Sequence, residues 1–334
     1  EIGMLGAEKL DCSPIKGRRM LNLDSEDEGV FTAGCAGGNR TECVIPVARE
    51  KFDGTVLKVT VNGLRGGHSG EMINRGRANS SMLIGRALDV LDGVCDMRIV
   101  SVDGGLKDNA IPVESFAVVV VSDEKKAREA LEKFGDDLKN EYRTPDPDVT
   151  LCVESASPTV LPMTNADSEK VVTLLTCMPN GLIELSMDVA GLPQTSLNLG
   201  ILTTSENEVS ASFCVRSSVS SQKEMLKKRL TRMTALLGGT VSYFGEYPAW
   251  EFKSDSPILK LCADVYEKKF GKKPVITAIH GGLECGLFSE KMPGLDCVSF
   301  GPDIFDIHTP REKLSVSSLN RTWEFLLEVL KEMK

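Results

Sequence analysis

No run of apolar residues in this 334-residue chain approaches the roughly 18 needed to cross a bilayer, and no charged-then-apolar leader opens it. The chain therefore reads as a soluble, cytoplasmic protein. Ten cysteines are scattered from Cys12 to Cys297 without a single CxxC pair. In a chain of this size they are expected to be reduced and mostly buried rather than to staple a small scaffold. A net charge of -9 leaves no broad cationic footprint for a phosphate backbone. The local cluster Lys227-Lys228-Arg229 falls on an amphipathic helix and reads as a solvated face. Neither nucleic acid nor a membrane is an expected partner. Nor is any segment poor enough in apolar residues to read as long disorder. The length predicts two domains. Because the chain opens on Glu1 rather than Met, and Ile2 to Ala7 runs straight into an ordered pattern, a truncated or processed chain is expected.

What is present reads as α/β. RRMLNLD, from Arg18, predicts a short buried strand that ends in the acids Asp24, Glu26, Asp27 and Glu28. The small residues from Ala33 to Gly38 predict a flexible turn, and a domain boundary is placed near residue 40. Leu57, Val59 and Val61 alternate as on a half-buried strand, ahead of GLRGGHSG and a helix carrying Met82, Leu83, Leu88 and Leu91. Strands follow at 97–102 and 114–121, then a helix capped at Ser122/Asp123. A similar order returns after about residue 165, so residues 40–246 are expected to hold two related halves, on element order alone. Beyond Tyr247 the alternation of helix and strand is that of an α/β layer. Its first helix has the cap Asp255/Ser256, Pro257 in its first turn and Gly271 as its stop. Residues 1–39 and 247–334 are thus expected to form one α/β domain, with 40–246 inserted as an α+β domain.

The three histidines, His68, His280 and His308, all fall in loop-like sites between elements. His308 follows a buried strand and Gly301-Pro302, and Asp24 also ends a strand, so the two could meet at a sheet edge where α/β proteins collect ligands. Carboxylate plus imidazole suits a catalytic zinc or related divalent ion; a surface acid cluster with an exposed histidine is the competing reading. At Gly281-Gly282 a strand runs into glycines and then a helix, offering backbone N–H groups to an anion, or simply allowing a tight turn. Arg216, at a strand end, could fork onto a carboxylate, and Asn109 could bond a peptide carbonyl. The alternatives are a surface arginine and an asparagine that shapes its own turn.

Taken together, EIGMLGA at 1–7, NLDSE at 22–26, NGLRGGHSG at 62–70, GG at 104–105 followed by NAIP at 109–112, HGGLECG at 280–286 and FGPDIFDIHTPRE at 300–312 span the chain in order. In this it resembles the aminoacyl-histidine dipeptidases (PepD type) of the dinuclear zinc aminoacylase and carboxypeptidase superfamily. The resemblance implies a zinc-peptidase-like catalytic α/β domain, incomplete on its N-terminal side, with an inserted lid. It further implies two divalent ions, Zn with Mn or Co as substitutes, and hydrolysis of Xaa-His dipeptides by metal-activated water. Glu1, Asp24 and His308 would be metal ligands. Family members carry an HxD motif, a bridging Asp and a general-base Glu ahead of EIGM, and this chain has none of these. His68 would steady the oxyanion, reaching across a homodimer built through the lid. Asn109 and Arg216 would hold the substrate's carbonyl and terminal carboxylate, and Gly281 and Gly282 would line a carboxylate cradle; His280 receives no role. Two other readings stand beside this one: a related tripeptidase, aminoacylase or carboxypeptidase, and a noncatalytic peptide-binding or dimerising fragment.

Overall fold

Leu57, Val59 and Val61 are buried while Lys58 and Thr60 between them stay half-exposed, as period two requires of a strand with one covered face. The structure, a computed structural model, describes residues 4–333. Its elements run α1 (Leu5–Lys9), β1 (Arg19–Asn22), β2 (Val30–Cys35), β3 (Gly37–Pro46), β4 (Thr55–Asn62), β5 (Gly67–His68), α2 (Ser80–Asp92), β6 (Met97–Gly104), β7 (Ala110–Ile111) and β8 (Ser115–Val121). There follow α3 (Glu124–Glu141), β9 (Thr150–Ser155), α4 (Asn165–Cys177), β10 (Gly181–Leu185), β11 (Pro193–Thr204), β12 (Glu208–Ser217), α5 (Ser220–Leu236) and β13 (Thr240–Tyr247). The chain closes with α6 (Pro257–Phe270), β14 (Val275–Ile279), α7 (Glu284–Lys291), β15 (Asp296–Ser299), β16 (Ile304–Phe305), β17 (Lys313–Leu314) and α8 (Val316–Glu332). Among the described residues no helix is long and apolar enough to cross a membrane.

The larger sheet has the order β13-β3-β12-β11-β6-β8-β4-β9, with β10 added on β11. It consists of two four-stranded sets that meet where Leu202 of β11 pairs with Gly104 of β6. Outward from that seam, one set reads β6, β8, β4, β9 and the other β11, β12, β3, β13. In chain order each set is strand, helix, two strands, helix, strand. The repeat is discontinuous, because β3 opens one set and the whole of the other is threaded between β3 and α4. Helices α2, α3, α4 and α5 supply the buried leucines and valines that complete this layer's core.

The smaller sheet, β1-β15-β2-β14, has its own apolar clusters. Phe31, Tyr266, Phe300 and Phe325 form an aromatic knot between sheet and helices, with Phe300 and Phe325 edge to face at 4.9 Å. Helix α6 is bounded as its sequence predicts: Ser256 accepts from the Leu259 N–H, and Gly271 turns left-handed at φ 69°. β1 runs parallel to β15 and β2 parallel to β14, but β15 and β2 are antiparallel. The carboxyl ends of β1 and β15 therefore lie with the amino ends of β2 and β14.

Residues 33–38, expected to be a flexible turn, are buried, and all but Ala36 belong to strands β2 and β3. Their small size serves packing. A Cβ on Gly37 would lie 2.5 Å from the Ala249 nitrogen, and Cys35 exchanges backbone hydrogen bonds with Trp250. Composition alone does not separate a loose turn from a strand pressed against another backbone.

Candidate functional site

The candidate residues fall into two groups. The first surrounds the carboxyl ends of β1 and β15, where two distant stretches are zipped together. Phe300 N–H donates to the Asn22 carbonyl at 3.0 Å, Ile304 N–H to the Glu26 carbonyl at 2.9 Å, and Glu28 N–H to the Asp303 carboxylate at 2.8 Å. This brings Asp24 and His308 to the same edge as the half-buried Glu26. The Glu26 carboxyl is pushed up by burial and by the Asp24 charge, and held down by His308. Both Asp306 and His308 have positive φ, 55° and 59°, a region that side chains with a Cβ rarely adopt. The turn is held by Thr309, whose hydroxyl donates to the Asp306 carbonyl at 2.6 Å, and by Glu312, which accepts from the His308 N–H at 3.1 Å. Glu1 lies outside the described residues.

Carboxylate oxygen and imidazole nitrogen are the donor types a zinc-like ion takes. Among the described residues, however, no cluster of three or more His, Cys, Asp or Glu side chains is arranged to hold one. Asp24 and His308 fit as part of a ligand set.

The second group gathers around Arg216. Antiparallel register sets Ser196 of β11 opposite Arg216 of β12, and β12 pairs with β3 so that Arg216 faces Gly38. A side chain on Gly38 would strike Tyr247, whose hydroxyl accepts from Arg216 Nη1 at 3.2 Å. Arg216 is 8% exposed, its Nε has no hydrogen-bond partner, and among the described residues it forms no ion pair with a carboxylate. A buried guanidinium in this state is costly unless something anionic joins it.

His280, 6% exposed, shares a 2.7 Å hydrogen bond with the Ser196 hydroxyl through Nε2, and its Nδ1 has no hydrogen-bond partner. Burial, reinforced by the Arg216 charge and opposed by the Pro193 carbonyl, pushes its pKa down to about 3. His68, half-buried in the GGHSG turn, is also pushed down, by burial and then by Arg216, with Glu71 opposing. The turn is fixed by the β5/β7 pairing of His68 with Ala110 and by the Ser69 N–H, which donates to the Asn109 carbonyl at 2.9 Å. It also packs closely on the His280 segment, since a Cβ on Gly70 would come within 2.8 Å of the His280 carbonyl.

His68, the Asn109 loop, Arg216, His280 and Gly281-Gly282 thus come together in one chain. Gly282 is required by packing, because an added Cβ would lie 2.8 Å from the Tyr247 ring. A Cβ on Gly281 would meet only Ile279 Cδ1, at an ordinary contact distance of 3.8 Å, and helix α7 begins two residues after Gly282, at Glu284, with no side-chain cap. Since β14 is antiparallel to β15 in overall sense, the two groups leave opposite ends of the small sheet, a strand length of roughly 15 Å apart. Sequence reading did not single out Ser196 or Tyr247. Ser196 acts through cross-strand register, and Tyr247 stands at a strand end with no motif around it. A cavity of about 310 Å³ opens between Ala33, Pro248, Trp250, Lys253, Glu290 and Asp296 at the amino end of β15, the end of the small sheet opposite His308.

Residues 89–332 match the family described as Peptidase family M20/M25/M40. The chain is 34% identical over 337 residues to the cytosol non-specific dipeptidase of Escherichia coli (strain K12), a match that spans all of this chain and 70% of that protein. It is 36% identical to the aminoacylhistidine dipeptidase of Vibrio alginolyticus. That crystal structure superposes with a TM-score of 0.93, covering 99% of this chain and 69% of that one.

Proposed function

This chain belongs to peptidase family M20/M25/M40, metal-dependent hydrolases of peptide bonds, and from that premise we propose that its substrates are dipeptides, Xaa-His dipeptides among them. The observation that carries the reading is that Asp24 and His308, far apart in sequence, come to one sheet edge, where both charges act on Glu26. The names of the two relatives narrow the substrate to dipeptides.

In this reading residues 1–39 and 247–334 form the catalytic domain and 40–246 the lid. The separate apolar clusters of the two sheets support that division. Asp24 and His308, with Glu1, would hold two divalent ions, Zn or its substitutes Mn and Co. When bound, such ions polarise the scissile carbonyl and acidify water. Arg216 receives the substrate's terminal carboxylate, which gives the buried guanidinium the ion-pair partner it lacks among the described residues. Asn109 holds the scissile carbonyl, and His68, kept neutral by burial and by Arg216, donates an N–H to the developing oxyanion. Gly281 and Gly282 leave room beside the clamp.

The two groups lie at opposite ends of the small sheet, which supports a homodimer joined through the lid, each copy's His68 serving the other's metal edge. A cytoplasmic location fits the E. coli relative's name.

The test is metal content together with hydrolysis of β-alanyl-histidine and glycyl-histidine. Asp24→Asn and His308→Ala are each expected to lose bound metal and, in parallel, turnover. Full metal content and full rate in both variants would overturn the assignment.

A further inference from the structure

The two carbonyls that flank Asn109 are held by one buried amide. Asn198, on β11, is 1% exposed, and its Nδ2 donates to the carbonyls of Asp108 at 3.2 Å and Ala110 at 2.8 Å. These are the two carbonyls flanking Asn109. The carbonyl between them points the other way and accepts from the Ser69 N–H, next to His68. Three successive carbonyls are thus fixed in alternating directions, two by Asn198 and one by the histidine turn.

The amide is itself held from behind. Its Oδ1 accepts from Asn79 Nδ2 at 3.2 Å, and the same Nδ2 donates to the Leu199 carbonyl at 2.8 Å. Asn79 Oδ1 meanwhile caps α2 through the Ser81 and Met82 N–H groups. Asn180 Oδ1 completes the network by accepting from the Leu199 N–H at 2.8 Å. The loop also lies flat on the strand: a Cβ on Gly200 would stand 2.4 Å from the Asp108 carbonyl, and one on Gly105 would stand 2.0 Å from the Gly200 carbonyl. Such a network has one arrangement that satisfies every donor, so it transmits position rather than slack.

We propose that Asn198 is a positioning residue for this hydrolase, setting the Asn109 side chain and, through the Ser69 N–H, the His68 turn in one geometry. The proposal rests on the reading above that Asn109 and His68 face the substrate. Asn198 never touches the substrate. Its removal acts on kcat, because the groups it places act on the scissile carbonyl, whereas the carboxylate clamp at Arg216 stays intact and KM changes little.

Asn198→Ala in the metal-loaded full chain, assayed with alanyl-histidine, is expected to lower kcat about 10- to 100-fold with KM within about 2-fold. Asn109→Ala is expected to be at least as slow, and the double variant no slower than Asn109→Ala alone, since both changes remove one interaction. Hydrogen exchange at the Ser69 amide should quicken in Asn198→Ala, a change that a general loss of stability would spread over the whole sheet. Gly200→Ala pushes the same loop without altering the amide, so it gives the same kcat loss should Asn198→Ala not fold. If Asn198→Ala and Gly200→Ala turn over at the parent rate while Asn109→Ala is slow, the positioning role is overturned and the reading of Asn109 stands. If Asn109→Ala itself is unimpaired, that reading fails and the proposal fails with it.

Discussion

Ser196 and His280 are joined by a 2.7 Å hydrogen bond between the two sheets, in a site that also buries the guanidinium of Arg216. A serine from the antiparallel layer and a histidine from the end of β14 thus fix the seam at which the clamp stands. Because the imidazole is buried beside a permanent cation, it stays neutral.

That neutrality has a pH consequence. The folded pKa of His280 is about 3, against an ordinary value of 6.5, so between those limits the unfolded chain binds the extra proton. The stabilising effect of a neutral His280 is complete above about pH 6.5 and is lost as pH falls toward 3. Between pH 7 and pH 5 the loss from this one group is about 2 kcal/mol. Urea unfolding at the two pH values should show it, and His280→Gln should unfold with a visibly flatter pH dependence.

Arg216→Met should weaken binding of a dipeptide with a free terminal carboxylate by about 10- to 100-fold, the worth of a charge-assisted hydrogen bond of roughly 1.5–3 kcal/mol. The C-terminal amide of the same dipeptide should be affected far less. Titration calorimetry with both ligands measures the difference, and equal losses for acid and amide would remove Arg216 from the clamp.

Gly282→Ala places a methyl 2.8 Å from the Tyr247 ring. The ring must move, and its hydroxyl carries the hydrogen bond from Arg216 Nη1. A stability loss of about 1–3 kcal/mol is expected in thermal unfolding, accompanied by weaker carboxylate binding. Gly281→Ala, whose methyl would meet only Ile279 Cδ1 at an ordinary 3.8 Å, should be close to neutral in stability.

Phe325 lies at the centre of the aromatic knot, with Phe31, Tyr266 and Phe300 all within 5.5 Å of its ring centroid. Phe325→Ala should cost about 3–5 kcal/mol, read by denaturant midpoint. The larger sheet has a separate core, so its helices should lose structure later than the smaller sheet does.

Much of this architecture is legible in the sequence. The alternation at Leu57, Val59 and Val61 and the cap and stop of α6 are local signals, written in neighbouring residues. The placement of Asp24 and His308 beyond strand ends is legible for the same reason, since turn residues follow each strand. What escaped was set by pairing across the chain. The antiparallel pairing of β15 with β2, which sends the Gly281-Gly282 segment to the other end of the sheet from His308, leaves no trace in composition. Nor does the register that places Ser196 opposite Arg216, or the two carbonyls that meet Asn198. The stretch Ala33 to Gly38 misled because small residues suit both a loose turn and a strand under close backbone contact.

The most direct measurement is anomalous diffraction from crystals soaked in zinc. The account predicts an ion bounded by the Asp24 carboxylate and the His308 imidazole at the carboxyl ends of β1 and β15. Ordered zinc bound elsewhere, with those two side chains taking no part, would contradict it.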